Sequence, residues 1–114
     1  MQFQQNEFPT RAIKFSVSDE NGKEIGRAFL FILKNDLRNR EYGFMEDVMV
    51  DEEYRGQGIG TQLLNELIKT AKETKLYKII GTSRHEREKV HALYRKLGFE
   101  DFGKEFKMYL EKMD

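Results

Sequence analysis

Up to Val50 the apolar residues fall in short strand-like segments, and from Gly60 they recur at helical spacing. The two regimes meet in a glycine-rich segment. Ala12 to Ser18 alternates weakly and runs into Asn21-Gly22, a hairpin turn signal. The chain returns through Lys23 to Leu33, where Phe29-Leu30-Phe31-Ile32-Leu33 predicts a strand buried on both faces. Asn35 to Glu41 is polar and reads as a loop. A third strand, Tyr42 to Val50, should place Phe44, Glu46, Val48 and Val50 on one face and Met45, Asp47 and Met49 on the other.

Leu63, Leu64, Leu67, Ile68 and Ala71 predict a helix over Gly60 to Lys75, and Leu76 to Thr82 a short apolar strand. Strand, helix and strand make a βαβ unit whose crossover is right-handed and whose two strands are parallel. A second helix, about Glu86 to Leu97, carries Val90, Leu93, Tyr94 and Leu97 on one stripe; Gly98 ends it and Phe99 closes the apolar contact. Phe106, Met108 and Leu110 alternate with Lys107, Tyr109 and Glu111 as a final strand. The order β-β-β-α-β-α-β describes an α/β protein with a mixed sheet, antiparallel first and parallel through the middle. With 114 residues, the chain is expected to form one domain, residues 1–114.

Charge and composition narrow the function classes. Lys+Arg and Asp+Glu balance at 20 each, which argues against broad binding to nucleic acid or to anionic membranes. The chain has no cysteine, so disulfides, thiolate metal sites and a cysteine nucleophile are excluded, and no metal ligand set is expected. No stretch approaches the roughly 20 apolar residues of a membrane span. The expected location is the cytoplasm.

The chemistry is concentrated in Arg55-Gly56-Gln57-Gly58-Ile59-Gly60. Glycines between a strand and a helix let backbone N–H groups turn toward a ligand, and the helix adds unpaired amides and the positive end of its dipole. Such a corner binds phosphate. A P-loop needs a lysine after its last glycine, and none follows Gly60. A dinucleotide fingerprint needs a third glycine where Thr61 or Leu63 stands, and an acid at the end of the next strand, which closes in Gly81-Thr82-Ser83.

Arg55-x-x-Gly58-x-Gly60, preceded by Val48-Met49-Val50-Asp51, resembles the coenzyme A-binding motif of the GNAT superfamily of N-acetyltransferases. Leu93-Tyr94-Arg95-Lys96-Leu97-Gly98-Phe99 resembles that family's second hallmark, Leu-Tyr-x-x-x-Gly-Phe. The resemblance covers about Ala12 to Leu110 and implies a GNAT-like fold shortened at its N-terminus. A strand and two helices that usually precede the hairpin, and commonly form one wall of the acceptor pocket, have no counterpart in the first ten or so residues.

The resemblance also implies roles. Backbone groups of Arg55, Gly56, Gln57, Gly58, Ile59, Gly60 and Thr61 would hold the pyrophosphate of acetyl-CoA, with Arg55 adding charge or bracing the loop against Glu52 or Glu53. Backbone groups of Val48, Met49 and Val50 would pair with the pantetheine arm where two parallel strands part, one N–H polarising the acetyl carbonyl. Tyr94 would be the general acid to the departing thiolate. Glu46, and after it Asp47, would be the base that deprotonates the amine. His91 reads as a surface residue, and the basic cluster from Arg84 to Lys96, interrupted by Glu86 and Glu88, as a solvated face; Arg87 stands where the family often carries an Asn that contacts the coenzyme.

The function implied is acetyl transfer from acetyl-CoA, as co-substrate, to a small-molecule or peptide amine by direct attack in a ternary complex. The alternative is a non-catalytic acyl-CoA-binding module that docks a partner protein. A homodimer that completes the acceptor pocket is a further expectation. No nucleic-acid or membrane partner is expected.

Overall fold

The computed structural model describes residues 1–85 and 87–112. Its elements are β1 (Arg11–Ser18), β2 (Glu24–Leu33), β3 (Tyr42–Val50), a 3-10 turn (Glu52–Tyr54), α1 (Ile59–Glu73), β4 (Ile79–Gly81) and α2 (Glu88–Lys96). The chain divides into two compact units, Met1–Gly81 and Thr82–Asp114.

The first unit is a four-stranded sheet in the order β1-β2-β3-β4. β1 and β3 run antiparallel to β2, and β4 runs parallel to β3, as the βαβ pattern requires. Asp19 closes the β1–β2 hairpin: its carboxylate accepts from the Asn21 and Lys23 amides, both at 2.9 Å, while Gly22 takes φ 83°.

The core lies between one face of this sheet and α1. Ala28, Leu30 and Ile32 of β2 and Met45 of β3 are buried, as are Leu63, Leu64, Leu67 and Ala71 of the helix. Each fully buried leucine contributes about 1.5–3 kcal/mol of hydrophobic stabilisation. The start of α1 sits so close to β2 that a Cβ on Gly26 would lie 3.1 Å from Leu63 Cδ1. β2 is buried on this face only. Phe29, Phe31 and Leu33, expected to be buried as well, are half-buried on the opposite face, where the two phenyl rings stack at 6.4 Å.

β3 does not keep one alternation from end to end. Its pairing passes from Arg27↔Met49 to Phe29↔Glu46, so Asp47 and Val48 stand together opposite Ala28. This is a β-bulge, and Asp47 accommodates it at φ 51°, a conformation that aspartate tolerates better than most residues. The extra residue shifts the faces. Met45 and Val50, expected on opposite sides, pair with Leu30 and Gly26 on the helix-facing side, while Phe44, Glu46 and Met49 pair with Phe31, Phe29 and Arg27 on the other.

α1 ends at Glu73 and the chain reverses at Lys75 in the left-handed region, φ 65°. β4 is shorter than the Leu76–Thr82 expected, because its ladder with β3 runs only from Ile79 to Gly81.

In the second unit, α2 covers Glu88–Lys96; the expected start at Glu86 lies outside the described residues. Gly98 takes φ 105°, its amide donates to the Arg95 carbonyl, and the Phe99 amide donates to the Tyr94 carbonyl at 2.9 Å. That is a Schellman cap, completed by the Tyr94 and Phe99 rings at 5.5 Å. The final strand expected at Phe106 to Leu110 does not form. Residues 99–109 carry no regular structure, and Phe106, Met108 and Leu110 are 92%, 82% and 92% exposed. Alternation specifies a face, but a strand also needs a partner edge, and this segment has none among the described residues.

Two substitutions separate core from tail in equilibrium urea unfolding. Leu64→Ala should lower the unfolding free energy by about 2–5 kcal/mol. Phe106→Ala should change it by less than ~0.5 kcal/mol, and a core-sized loss there would place the tail in a packed environment.

Candidate functional site

The parallel pairing of β3 and β4 stops at Met45↔Gly81. β3 continues to Val50, so from Glu46 onward it has no strand partner on that edge among the described residues. The bulge at Asp47 falls where the two strands part. A β-strand edge with free N–H and C=O groups recruits any extended chain that offers complementary groups.

The loop that follows is held to the strand end by backbone and by one side chain. The Asp51 amide donates to the Ile25 carbonyl at 2.8 Å, and the Tyr54 amide to the Asp51 carbonyl at 2.9 Å. Arg55 Nε donates to the Val50 carbonyl at 2.9 Å. The arginine therefore braces the loop through a main-chain oxygen and not through Glu52 or Glu53. Its own amide donates to the Glu52 carbonyl at 3.3 Å, which removes the Arg55 N–H from the expected cradle.

Beyond Arg55 the amides are free. Among the described residues, none from Gly56 through Thr61 meets a protein acceptor, and no side chain caps α1. Gly56 and Gly58 take φ 80° and 82°, and a Cβ on either would touch nothing within 4 Å. Conformation requires glycine there, and the space in front of the loop is open. Gly60 has an ordinary φ, and its Cβ would meet Val50 Cγ2 at 3.7 Å, an ordinary contact. A 15-residue helix begins at this point, so free donors and the positive end of a macrodipole coincide. The loop is electropositive without a lysine.

Glu46 and Asp47 are exposed, so the cost of burying charge in a central strand does not arise. Glu46 lies on the sheet face opposite α1, across from Phe29, and Asp47 lies in the bulge. Among the described residues neither carboxylate has an ion-pair partner. Val48 and Val50 are half-buried and Met49 is exposed. The first unit thus brings Glu46, Asp47, the Val48–Val50 backbone and the glycine loop onto one continuous stretch of chain.

Tyr94 belongs to the second unit. It is half-buried, and burial pushes its phenol above the ordinary 10.0, while the Arg87 guanidinium pulls in the opposite direction. A tyrosine so placed stays protonated throughout the neutral range. His91 is half-buried one turn earlier on α2, and Arg87 precedes the helix, exposed, at φ −90°.

The bulge was the feature hidden from sequence reasoning. Its signal is the acid pair Glu46-Asp47 interrupting an otherwise apolar strand. The groove between β1 and α1, about 420 Å³ and lined by Phe15, Val17, Gln62 and Leu63 among others, contains none of these residues. Among the described residues no cluster of His, Asp or Glu is gathered to hold a metal ion, and no helix is long and apolar enough to cross a membrane.

Comparison with known proteins gives these features a family. Residues 2–99 match the acetyltransferase (GNAT) family. A glucosamine 6-phosphate N-acetyltransferase of Trypanosoma brucei brucei is 39% identical over 79 residues, which are 68% of this chain and 52% of that protein. A probable glucosamine 6-phosphate N-acetyltransferase 2 of rice is 36% identical over 81 residues, 70% of this chain and 47% of that one. The chain thus spans about half the length of these relatives. Among solved structures, a Trypanosoma brucei acetyltransferase superposes with a TM-score of 0.80 at 31% identity, covering 87% of this chain and 69% of that one. The glucosamine-6-phosphate N-acetyltransferase of Arabidopsis thaliana gives 0.79 at 26% identity, covering 88% and 67%. With that match over most of its length, the chain belongs to the GNAT acetyltransferases.

Proposed function

We propose that the chain moves an acetyl group from acetyl-CoA to a primary amine by direct attack in a ternary complex. The observation that carries this reading is the run of unpaired amides from Gly56 through Thr61, set at a helix N-terminus beside the unpaired edge of β3. A pyrophosphate fits that cradle: the donors are free, no Cβ fills the space, and the helix dipole favours negative charge. A pantetheine arm, which carries amide groups, fits the open edge of Val48 to Val50.

When bound, acetyl-CoA supplies a thioester, an acyl group already activated toward an amine. The protein's part is to bind, orient and move protons. The glycine-loop amides hold the pyrophosphate, and the β3 edge fixes the arm. One β3 N–H holds the acetyl oxygen and stabilises the charge that develops there. Glu46 removes the proton that a neutral-pH amine carries, with Asp47 the second candidate. Tyr94 returns a proton to the departing sulfur. Burial makes its phenol a weaker acid, and Arg87 offsets part of that effect. With no cysteine in the chain, no thiol is present to carry the acetyl group, which favours direct attack.

Among amines, phosphorylated amino sugars come first for testing, since the trypanosomal and rice relatives are named for glucosamine 6-phosphate. Thiol release from acetyl-CoA with an amine panel tests the reaction. No thiol release with any amine of the panel, while coenzyme A still binds, would favour the alternative of a binding module that docks a partner protein. A homodimer completing the acceptor pocket would appear as a doubled mass in native mass spectrometry.

Gly58→Ala forces a side chain into the left-handed region at about 1–2 kcal/mol, and coenzyme A affinity by calorimetry should fall at least about tenfold. Gly60→Ala, which meets only an ordinary contact, should leave it unchanged. Tyr94→Phe should lower kcat by about 10²-fold, with KM for acetyl-CoA nearly unaltered. Because the folded-state phenol titrates above its ordinary value, activity that needs its proton is retained through pH ~10 and lost only above it. That alkaline limb should be missing in Tyr94→Phe and should move upward in Arg87→Ala, since the guanidinium lowers the phenol's pKa.

A further inference from the structure

Tyr42 opens β3 and Tyr77 lies just before β4. Because these strands are parallel, both rings stand at the end of the sheet remote from the glycine loop. At ~3.3 Å per residue, β3 separates the two ends by roughly 25–30 Å. Backbone bonds stitch the rings in place. The Tyr77 amide donates to the Glu41 carbonyl at 3.2 Å, and the Gly43 amide to the Lys78 carbonyl at 2.9 Å. The ring centroids lie 6.0 Å apart at 60°.

Three cations gather on this pair. Arg38 Cζ lies 5.9 Å and Arg40 Cζ 5.4 Å from the Tyr77 centroid, while Lys78 Nζ lies 5.1 Å from Tyr42 and 5.3 Å from Tyr77. Among the described residues none of the three forms an ion pair, and the neighbouring carboxylate, Glu41, is held by Arg11 at 3.2 Å. A ring positions a cation without neutralising it and leaves its N–H donors directed outward. Three like charges so close repel one another, and an anion spanning them relieves that repulsion.

We propose that Arg38, Arg40 and Lys78, set on Tyr42 and Tyr77, form a docking surface for single-stranded nucleic acid. All three side chains are exposed and both tyrosines are half-buried. Phosphates match the guanidinium forks and the ammonium, and bases stack on the outward planes of guanidinium groups that the rings hold in place. An acidic peptide would satisfy the charges alone and leave the guanidinium planes without a stacking partner. The balanced net charge opposes binding over the whole surface but not at one concentrated patch. This proposal stands apart from acetyl transfer and survives if that reading fails.

Fluorescence anisotropy of a labelled 20-nucleotide oligouridylate, titrated with the full chain from 25 to 200 mM salt, tests it. Binding should appear at low salt, with a log–log salt slope of about −2 for three single-strand phosphates neutralised. Arg38→Gln/Arg40→Gln/Lys78→Gln should weaken binding at least tenfold and flatten the slope. The charge-matched Lys14→Gln/Lys23→Gln/Lys69→Gln should change it less than twofold. Thermal melting checks that both variants are folded. The proposal is overturned by no binding at 25 mM salt, by equal losses in the two variants, or by equal affinity for a labelled oligoglutamate.

Discussion

The structure turns on a backbone constraint: among the described residues β3 is paired on both edges only as far as Met45. β4 supplies only three residues of parallel partner, and the ladder ends at Met45↔Gly81. A bulge at Asp47 takes up the extra residue and lets β3 remain bonded to β2 while the far edge opens. Unpaired amides and carbonyls are costly to bury and available to bind. The elements of the first unit proposed to hold the donor adjoin that opening: the exposed edge of Val48 to Val50, the Arg55 brace on the Val50 carbonyl, and the loop that delivers free amides to α1.

Much of this was legible in the sequence because its signals were local. The Asn21-Gly22 turn, the helical stripe of Leu63, Leu64, Leu67 and Ala71, and the Gly98-Phe99 cap each rest on the chemistry of a few adjacent residues. The glycine loop was legible for the same reason, since Gly56 and Gly58 adopt conformations that other residues resist. What was not legible depends on pairing between distant segments. The bulge is a mismatch of two strands, and alternation within Tyr42 to Val50 predicts opposite faces for Met45 and Val50, which in fact share one. The tail from Phe106 to Leu110 alternates as a strand should, yet strand formation is decided by a partner edge that its own residues do not specify.

Composition proved informative in the same uneven way. The even balance of acids and bases describes the whole surface, and it hides the separation of free cations at one end of the sheet from the acids that flank the glycine loop. Charge is costly to bury in a strand paired on both edges, and Glu46 and Asp47 stand within β3. At an open edge they are exposed and carry no such penalty, which suits a base that has to meet an incoming amine.

The central claim is that one opened strand and one uncapped helix together form the donor site. Amide hydrogen exchange with and without coenzyme A tests it most directly. Exchange should slow in two separate stretches, Val48 to Val50 and Gly56 to Thr61, with the hairpin at Asn21-Gly22 unchanged. Binding that leaves both stretches at their free rates, or protects only the groove between β1 and α1, would contradict it.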